Sequence, residues 1–384
     1  LSSESTAIPP VIRNETLVSF EERLRFSMKA FVVNRGGGKT VVAGYPWFLD
    51  WGRDTFIAAR GLLSAGWVDE VFGIVRAFAK FEDRGSLPNV LNGENASNRE
   101  TSDAPLWFGK VCAELAETKG EDIFAERMAD GRQLREVLIS IGCGYRDGTP
   151  QGIRMDLESG LIWSPSHFTW MDTNYPAGTP REGYPVEIQA LWIELLGLLS
   201  RLDSDGGWDD LECRAREAFG RYFCQTSSGW VADLLPATEG VKPSDAPCDD
   251  SLRSNGLMAV ALGGVPLPVA RVTVMAACDH LVVPGAMRSL APLKVAVPLS
   301  VRSDTGELLN DPIRPYWGRY EGDEDTRRKP AYHNGTAWGW QLPFLSESIM
   351  RCWPNDEGAL KAARAYLLTM EPLLNAGCIG HLPE

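Results

Sequence analysis

Asp172 lies in the run "SPSHFTWMDTNYPAGTPREGYPVEIQALW" (164–192), flanked by Phe168, Trp170 and Tyr175. An apolar wall penalises the charged form of a carboxyl group, which is the condition a general acid needs to keep its proton near neutrality. Glu182 and Glu187 follow closely. The same spacing also fits a plainer arrangement, in which Asp172 and Thr173 open a turn and Glu187 sits in the dipole-favoured first turn of a helix. A second cluster stands upstream, where "AGYPWFLDWGRDTFIAARGL" (43–62) packs Asp50, Arg53 and Asp54 among Trp47, Phe48, Trp51 and Phe56. A guanidinium presents donors in a fixed fork and carboxylates accept from hydroxyls, so this trio can grip a polyol. It can equally close into a buried ion pair beneath an aromatic core. A third cluster, "AYHNGTAWGWQLPFLSES" (331–348), offers His333, Asn334, Trp338 and Trp340 ahead of a helix. These suit hydroxyl hydrogen bonding beside a stacking face, or a helix capped by Asn334 with its Trp residues in the core. Arg253 and Asn255, in "DDSLRSNGLMAVAL", stand at another helix start, where capping is the simpler role for Asn255.

The bulk composition narrows the ligand. A net charge of −13 argues against nucleic acid and against anionic membrane surfaces, since both call for a basic face. No apolar run is long enough to span a bilayer. Thirteen Trp against nine Tyr and four His suit sugar stacking as well as they suit a large aromatic core. The eight cysteines are scattered with no C-x-x-C pair, which points to reduced thiols in a cytoplasmic protein. No second His lies within ligand spacing of His333, so neither a metal nor a cofactor is expected. "FVVNRGGGKT" is not a phosphate-binding loop, because Val33 occupies the position of the first glycine that motif needs.

The elements that must position these clusters read as helices. "FVVNRGGGKTVVAGY" predicts a β-hairpin with a glycine-rich turn after a short N-terminal loop. Apolar residues at three- and four-residue spacing then predict two helices broken near Ser64–Gly66. Another opens after Ser102 or Asp103 as N-cap. More follow at about 121–141, 186–202, 208–223, 252–262, 268–280, 334–351 and 356–374. Long loops at 144–185 and 301–333 are rich in Trp, Asp, Pro and Gly, and long loops on a rigid scaffold carry function more often than not. Helix pairs with loops gathered at one end predict a single all-α domain over 1–384, an α/α toroid with a ligand funnel at the loop end. The start without Met and the stop on a polar loop read as a fragment of a longer chain.

Six stretches carry a resemblance: "AGYPWFLDWGRDTFIAARGL", "LPNVLNGENASNRETSDAPLWF", "HFTWMDT", "GTPREGYPVEIQALW", "LRSNGLMAVAL" and "AYHNGTAWGWQLPF". In that order they resemble the amylo-α-1,6-glucosidase domain of glycogen debranching enzymes, with Pro46 and Asn334 where that family more often has His and Gln. The resemblance implies a glucoamylase-like (α/α)6 six-hairpin barrel, here without its last helix. It implies inverting removal of an α-1,6-linked glucose stub from glycogen, limit dextrin or malto-oligosaccharides. Asp172 matches the general acid and Glu384, in "GHLPE", matches the start of the base loop, with Glu187 as the rival read from the residues. Arg53 and Asp54 would hold the non-reducing glucose, with Asp50 assisting or orienting Arg53 and Trp47 or Trp51 as platform. Trp107, Trp170, Arg181, Glu187, His333, Asn334 and Trp338 complete the expected substrate-binding set. A glucoamylase- or trehalase-type exo-glucosidase, or a non-catalytic oligosaccharide-binding fragment, is the alternative.

Overall fold

The computed structural model of the chain describes residues 19–36, 38–45, 48–173, 178–377 and 381–383. Its helices are α1 (Phe20–Phe31), α2 (Gly52–Ser64), α3 (Val68–Ala79), α4 (Ala104–Lys119), α5 (Leu134–Asp147), α6 (Val186–Leu202), α7 (Trp208–Phe223), α8 (Asn255–Leu262), α9 (Leu267–His280), the short α10 (Lys329–Tyr332), α11 (Leu342–Cys352) and α12 (Glu357–Leu368). Strands are short and paired locally. β1 (Val32–Arg35) and β2 (Gly38–Val41) form the antiparallel hairpin expected from the sequence, turned by Gly36 at φ +49°.

Two kinds of helix alternate along the chain. α4, α6 and α8 bury side chains around most of their circumference, as helices inside a larger assembly must. α3, α5 and α7 bury a single stripe; in α3 it is Val71, Ile74, Val75, Phe78 and Ala79. The packing follows from this difference. α2, α4, α6, α8 and α11 contact one another in sequence as an inner row, while α3, α5, α7, α9 and α12 pack on them from outside. Chain direction reverses at each turn, so the inner helices start at one end, and that end carries Arg53, Asp103, Glu187 and Asn255. The arrangement is consistent with an α/α toroid. Among the described residues no helix is long and apolar enough to cross a membrane.

The structure departs from the sequence reading in three places. α1 precedes the hairpin where a loop was expected. It buries no residue fully, yet Phe20, Leu24, Met28 and Phe31 repeat at helical spacing, and Ser19 and Glu22 form a capping box that marks its start. The helix expected over 334–351 begins at Leu342, with Pro343 in its first turn; ahead of it lie a short strand, Ala337–Trp338, and a 3-10 turn, Gly339–Gln341. The helix expected over 121–141 resolves into a 3-10 turn, Glu121–Ala125, and α5.

Backbone crossings hold the layers close. A Cβ on Gly144, in α5, would lie 2.5 Å from the Arg84 carbonyl oxygen and from Gly85 Cα. Gly144→Ala should therefore cost ~2–3 kcal/mol in urea denaturation, since neither backbone can yield cheaply. A Cβ on Gly220, inside α7, would meet nothing within 4 Å beyond the backbone of its own helix. Gly220→Ala should instead gain ~0.5–1 kcal/mol by relieving helix entropy. Equal effects of the two substitutions would contradict this packing.

Candidate active site

Arg53 is the second residue of α2, and its guanidinium meets three carboxylates. Nη2 donates to Asp172 Oδ2 at 3.1 Å, Nη1 to Asp103 Oδ2 at 3.4 Å, and Nε lies 3.7 Å from Asp54 Oδ2. The three differ in access. The Asp103 side chain is 2% exposed, Asp172 29% and Asp54 43%. Asp54 and Asp172 thus meet water on one side while Arg53 holds them on the other. Burial alone would weaken Arg53's hold on its proton, but the three carboxylates reverse this and raise it further above the ordinary arginine range. Burial pushes the Asp103 and Asp54 carboxyls up against the opposing pull of Arg53.

Asp103 departs from its expected role. It stands at the N-cap position of α4 but makes no capping bond; Thr101 Oγ1 accepts from the Ala104 N–H instead and donates to Asp103 Oδ1. That frees Asp103 to buttress Arg53. Asp50 departs as well: its Oδ2 lies 2.7 Å from Arg35 Nε of β1, so it neither orients Arg53 nor meets it. Trp51, at the N-cap of α2, is half-buried beside the cluster.

The Asp172 loop is pinned by its neighbours. Ser102 N–H donates to the Phe168 carbonyl at 2.6 Å, and Trp170 Nε1 donates to Asn255 Oδ1 at 2.6 Å. Thr173 Oγ1 lies 3.1 Å from His333 Nε2, which joins this loop to the 331–341 segment. Trp170 stands edge-on to His333, Trp338 and Trp340, with centroids 5.0, 5.9 and 5.0 Å away. Trp340 keeps some exposure, whereas Trp170, His333 and Trp338 are buried. The box is therefore mainly a wall behind Asp172.

Four expected contacts lie beneath the site instead of within it. Trp107 is buried against Phe344 under the Arg60 guanidinium, a core position. Asn334 does not cap α11; its Oδ1 accepts from Arg253 and its Nδ2 donates to the Gly178 and Pro330 carbonyls, so both ends of the amide are engaged. Arg181, at φ +53°, pairs with Asp233 and Glu187, and all three are buried. Glu187 thus faces a guanidinium and has no open face for a water molecule, which removes the geometric basis for it as a base. Burial nevertheless raises its carboxyl, with Arg181 opposing. Glu384, Trp47 and Tyr175 lie outside the described residues.

Two functional partners were absent from the sequence reading as such. Asp103 reads as a helix cap, and nothing in its neighbours says otherwise. Asp233 did carry a signal: a lone carboxylate in the apolar run "WVADLLP" must find a buried partner. Among the described residues no group of three or more His, Cys, Asp and Glu side chains is placed to hold a metal ion.

The family model described as amylo-alpha-1,6-glucosidase matches residues 26–300 and 307–384. The glycogen debranching enzyme of Saccharomyces cerevisiae is 26% identical in an alignment covering 77% of this chain and 24% of that protein. The chain thus spans about a quarter of that relative's length. Among solved structures, a wild-type glycosidase superposes with a TM-score of 0.57 at 14% identity, covering 94% of this chain and 85% of its own. A GH63 mannosylglycerate hydrolase from Thermus thermophilus in complex with glucose gives 0.57 at 14%, covering 92% and 91%. At such identities the likeness is one of fold.

His333 supplies a pH test of this packing. Burial, reinforced by the Arg53, Arg253 and Arg181 guanidiniums, holds its pKa well below the ordinary value. The unfolded chain binds that proton near pH ~6.5 and the folded chain does not, so stability falls as pH drops through and below that value. Between pH 7 and 5, urea denaturation should show wild type losing about 2 kcal/mol more than His333→Gln. Parallel pH profiles for the two proteins would show that His333 titrates freely.

Proposed function

The chain belongs to the amylo-alpha-1,6-glucosidase family, and on that basis we propose that it hydrolyses the α-1,6-linked glucose left at branch points of glycogen or limit dextrin, with inversion at the anomeric carbon. The observation that carries this reading is Arg53 set between a buried Asp103 and two accessible carboxylates, Asp54 and Asp172. Such a floor suits the non-reducing end of a glucan. Asp54 accepts from glucose hydroxyls, and the Arg53 fork, already aimed by Asp103, donates to them. Trp51 and Trp340, both partly exposed, offer apolar faces for the ring's C–H side.

In this reading Asp172 becomes the general acid once a bound sugar replaces its contact with Arg53, because a guanidinium partner favours the ionised carboxylate. It transfers its proton to the glycosidic oxygen as the C–O bond breaks, and the glucan leaves with a free 6-hydroxyl. A water molecule attacks the anomeric carbon from the opposite side while the base, Glu384, takes its proton. An inverting pair of carboxyls stands ~6.5–9.5 Å apart to admit that water. A converging ring of loops brings residues so distant in sequence together, so we also propose that the inner row belongs to a six-hairpin barrel, part of a longer chain acting on glycogen in the cytoplasm.

Phosphorylase-limit dextrin is the direct substrate for a test, with the anomeric proton of released glucose followed by NMR. The expected first product is β-glucose. Asp172→Asn should reduce kcat by about 10²–10⁴-fold, the usual contribution of a positioned proton donor. α-Glucose as first product, or full activity in Asp172→Asn, would contradict the mechanism.

A further inference from the structure

Asn255 opens α8 and is completely buried, yet it does not act as a cap. Its Oδ1 accepts from Trp170 Nε1 at 2.6 Å, and its Nδ2 donates to Asp233 Oδ1 at 2.8 Å. Both ends of one amide are thus committed to two different loops. Asp233 is in turn fixed from its other side: Arg181 pairs with its Oδ2, and Arg253 Nε lies 3.6 Å from the same oxygen. Arg253 also donates to the His333 carbonyl at 2.6 Å and to Asn334 Oδ1 at 3.0 Å. A continuous buried path therefore runs from the Trp170 indole through Asn255, Asp233 and Arg253 to the His333 segment. The two loops it joins are those that meet directly at Thr173 and His333.

We infer that Asn255 is a positioning residue for Asp172, anchoring Trp170 to the Asp233–Arg253 cluster so that the acid two residues later is held at a fixed depth against Arg53. This rests on the role of Asp172 proposed above. The indole is a rigid lever with a donor at one end, and a single bond from Asn255 fixes its orientation. Without the Asn255 amide, Trp170 Nε1 and Asp233 Oδ1 each lose a buried partner, and the indole can rotate within its box of aromatic edges. The Asn255 amide bonds Trp170 and Asp233, and its Nδ2 also lies 3.7 Å from Met171 Sδ, while no bond joins it to Arg53; its influence on Asp172 therefore passes through the two residues that precede the acid.

Two measurements on Asn255→Ala separate positioning from general support of the fold. The first compares limit dextrin with α-glucosyl fluoride, whose fluoride leaves as its C–F bond breaks without needing a proton from an acid. Misplacement of Asp172 should lower kcat on limit dextrin by about 10–100-fold, within the range that a general acid supplies, and leave turnover of the fluoride within about 3-fold of wild type. The second is amide hydrogen exchange, which needs no turnover. Peptides covering 168–173 and 331–336 should exchange at least about 10-fold faster, while the body of α8 exchanges as in wild type. Equal losses on both substrates with unchanged exchange at 168–173 would overturn the inference and leave Asn255 a helix-end residue. Should wild type release glucose from neither substrate, the proposed function fails, and the exchange of the two loops alone decides whether Asn255 couples them.

Discussion

One guanidinium facing three carboxylates is the constraint around which the loop end of this protein is organised. Carboxylates brought within a few ångströms of one another repel, and inside protein that repulsion is far stronger than in water. Arg53 offsets it, and the chain supplies Arg53's partners from three separate places: its own helix, the start of α4 and the loop before α6. The asymmetry of exposure then gives the cluster a direction. Asp103 is sealed in and only buttresses, whereas Asp54 and Asp172 meet water and can exchange their contact with Arg53 for contact with a ligand. A cluster in which all three were sealed would be a structural ion pair. One in which all three were exposed would be too weakly held to orient a sugar.

Beneath this floor lies a second charged layer, in which Arg181 and Arg253 meet Glu187 and Asp233 with every member buried. Buried ion pairs are a doubtful source of stability compared with apolar packing, but removing one partner strands a charge and is severely destabilising. Such a cluster therefore specifies an arrangement more than it strengthens one. Here it specifies how the 164–185 and 331–341 segments sit against the inner helices. Arg181 adopts a left-handed backbone conformation to reach its partners, a strain that a surrounding network must hold in place.

The sequence made the helical architecture readable because apolar periodicity and breakers such as Ser64–Gly66 act locally. The bounds of α6 and α7 match the expected ones, since both have a clear apolar pattern and turn residues on either side. What was not legible was non-local. Asp50 and Arg53 are neighbours in sequence, but the short strand at Asp50 turns its carboxylate toward Arg35 in the hairpin. Trp107 and Asn334 are of the types that bind sugars, and residue type does not say whether a side chain faces a cleft or a core. Arg181 and Glu187 read as ligands for the same reason, and each turned out to be the other's partner. Asp233 could have been suspected from its apolar surroundings, but its partners lie in three other segments.

The proposed activity requires the Arg53 cluster to be the floor of a glucose pocket, and a crystal structure of the protein soaked with glucose tests that most directly. The expected result is one glucose ring between Asp54 and Asp172, with hydroxyls bonded to Asp54 and to the Arg53 guanidinium, and Asp103 still holding Arg53 from behind. Glucose bound elsewhere, with Arg53 still closed on all three carboxylates at saturating sugar, would mean that the cluster is structural and that the site lies in another part of the fold.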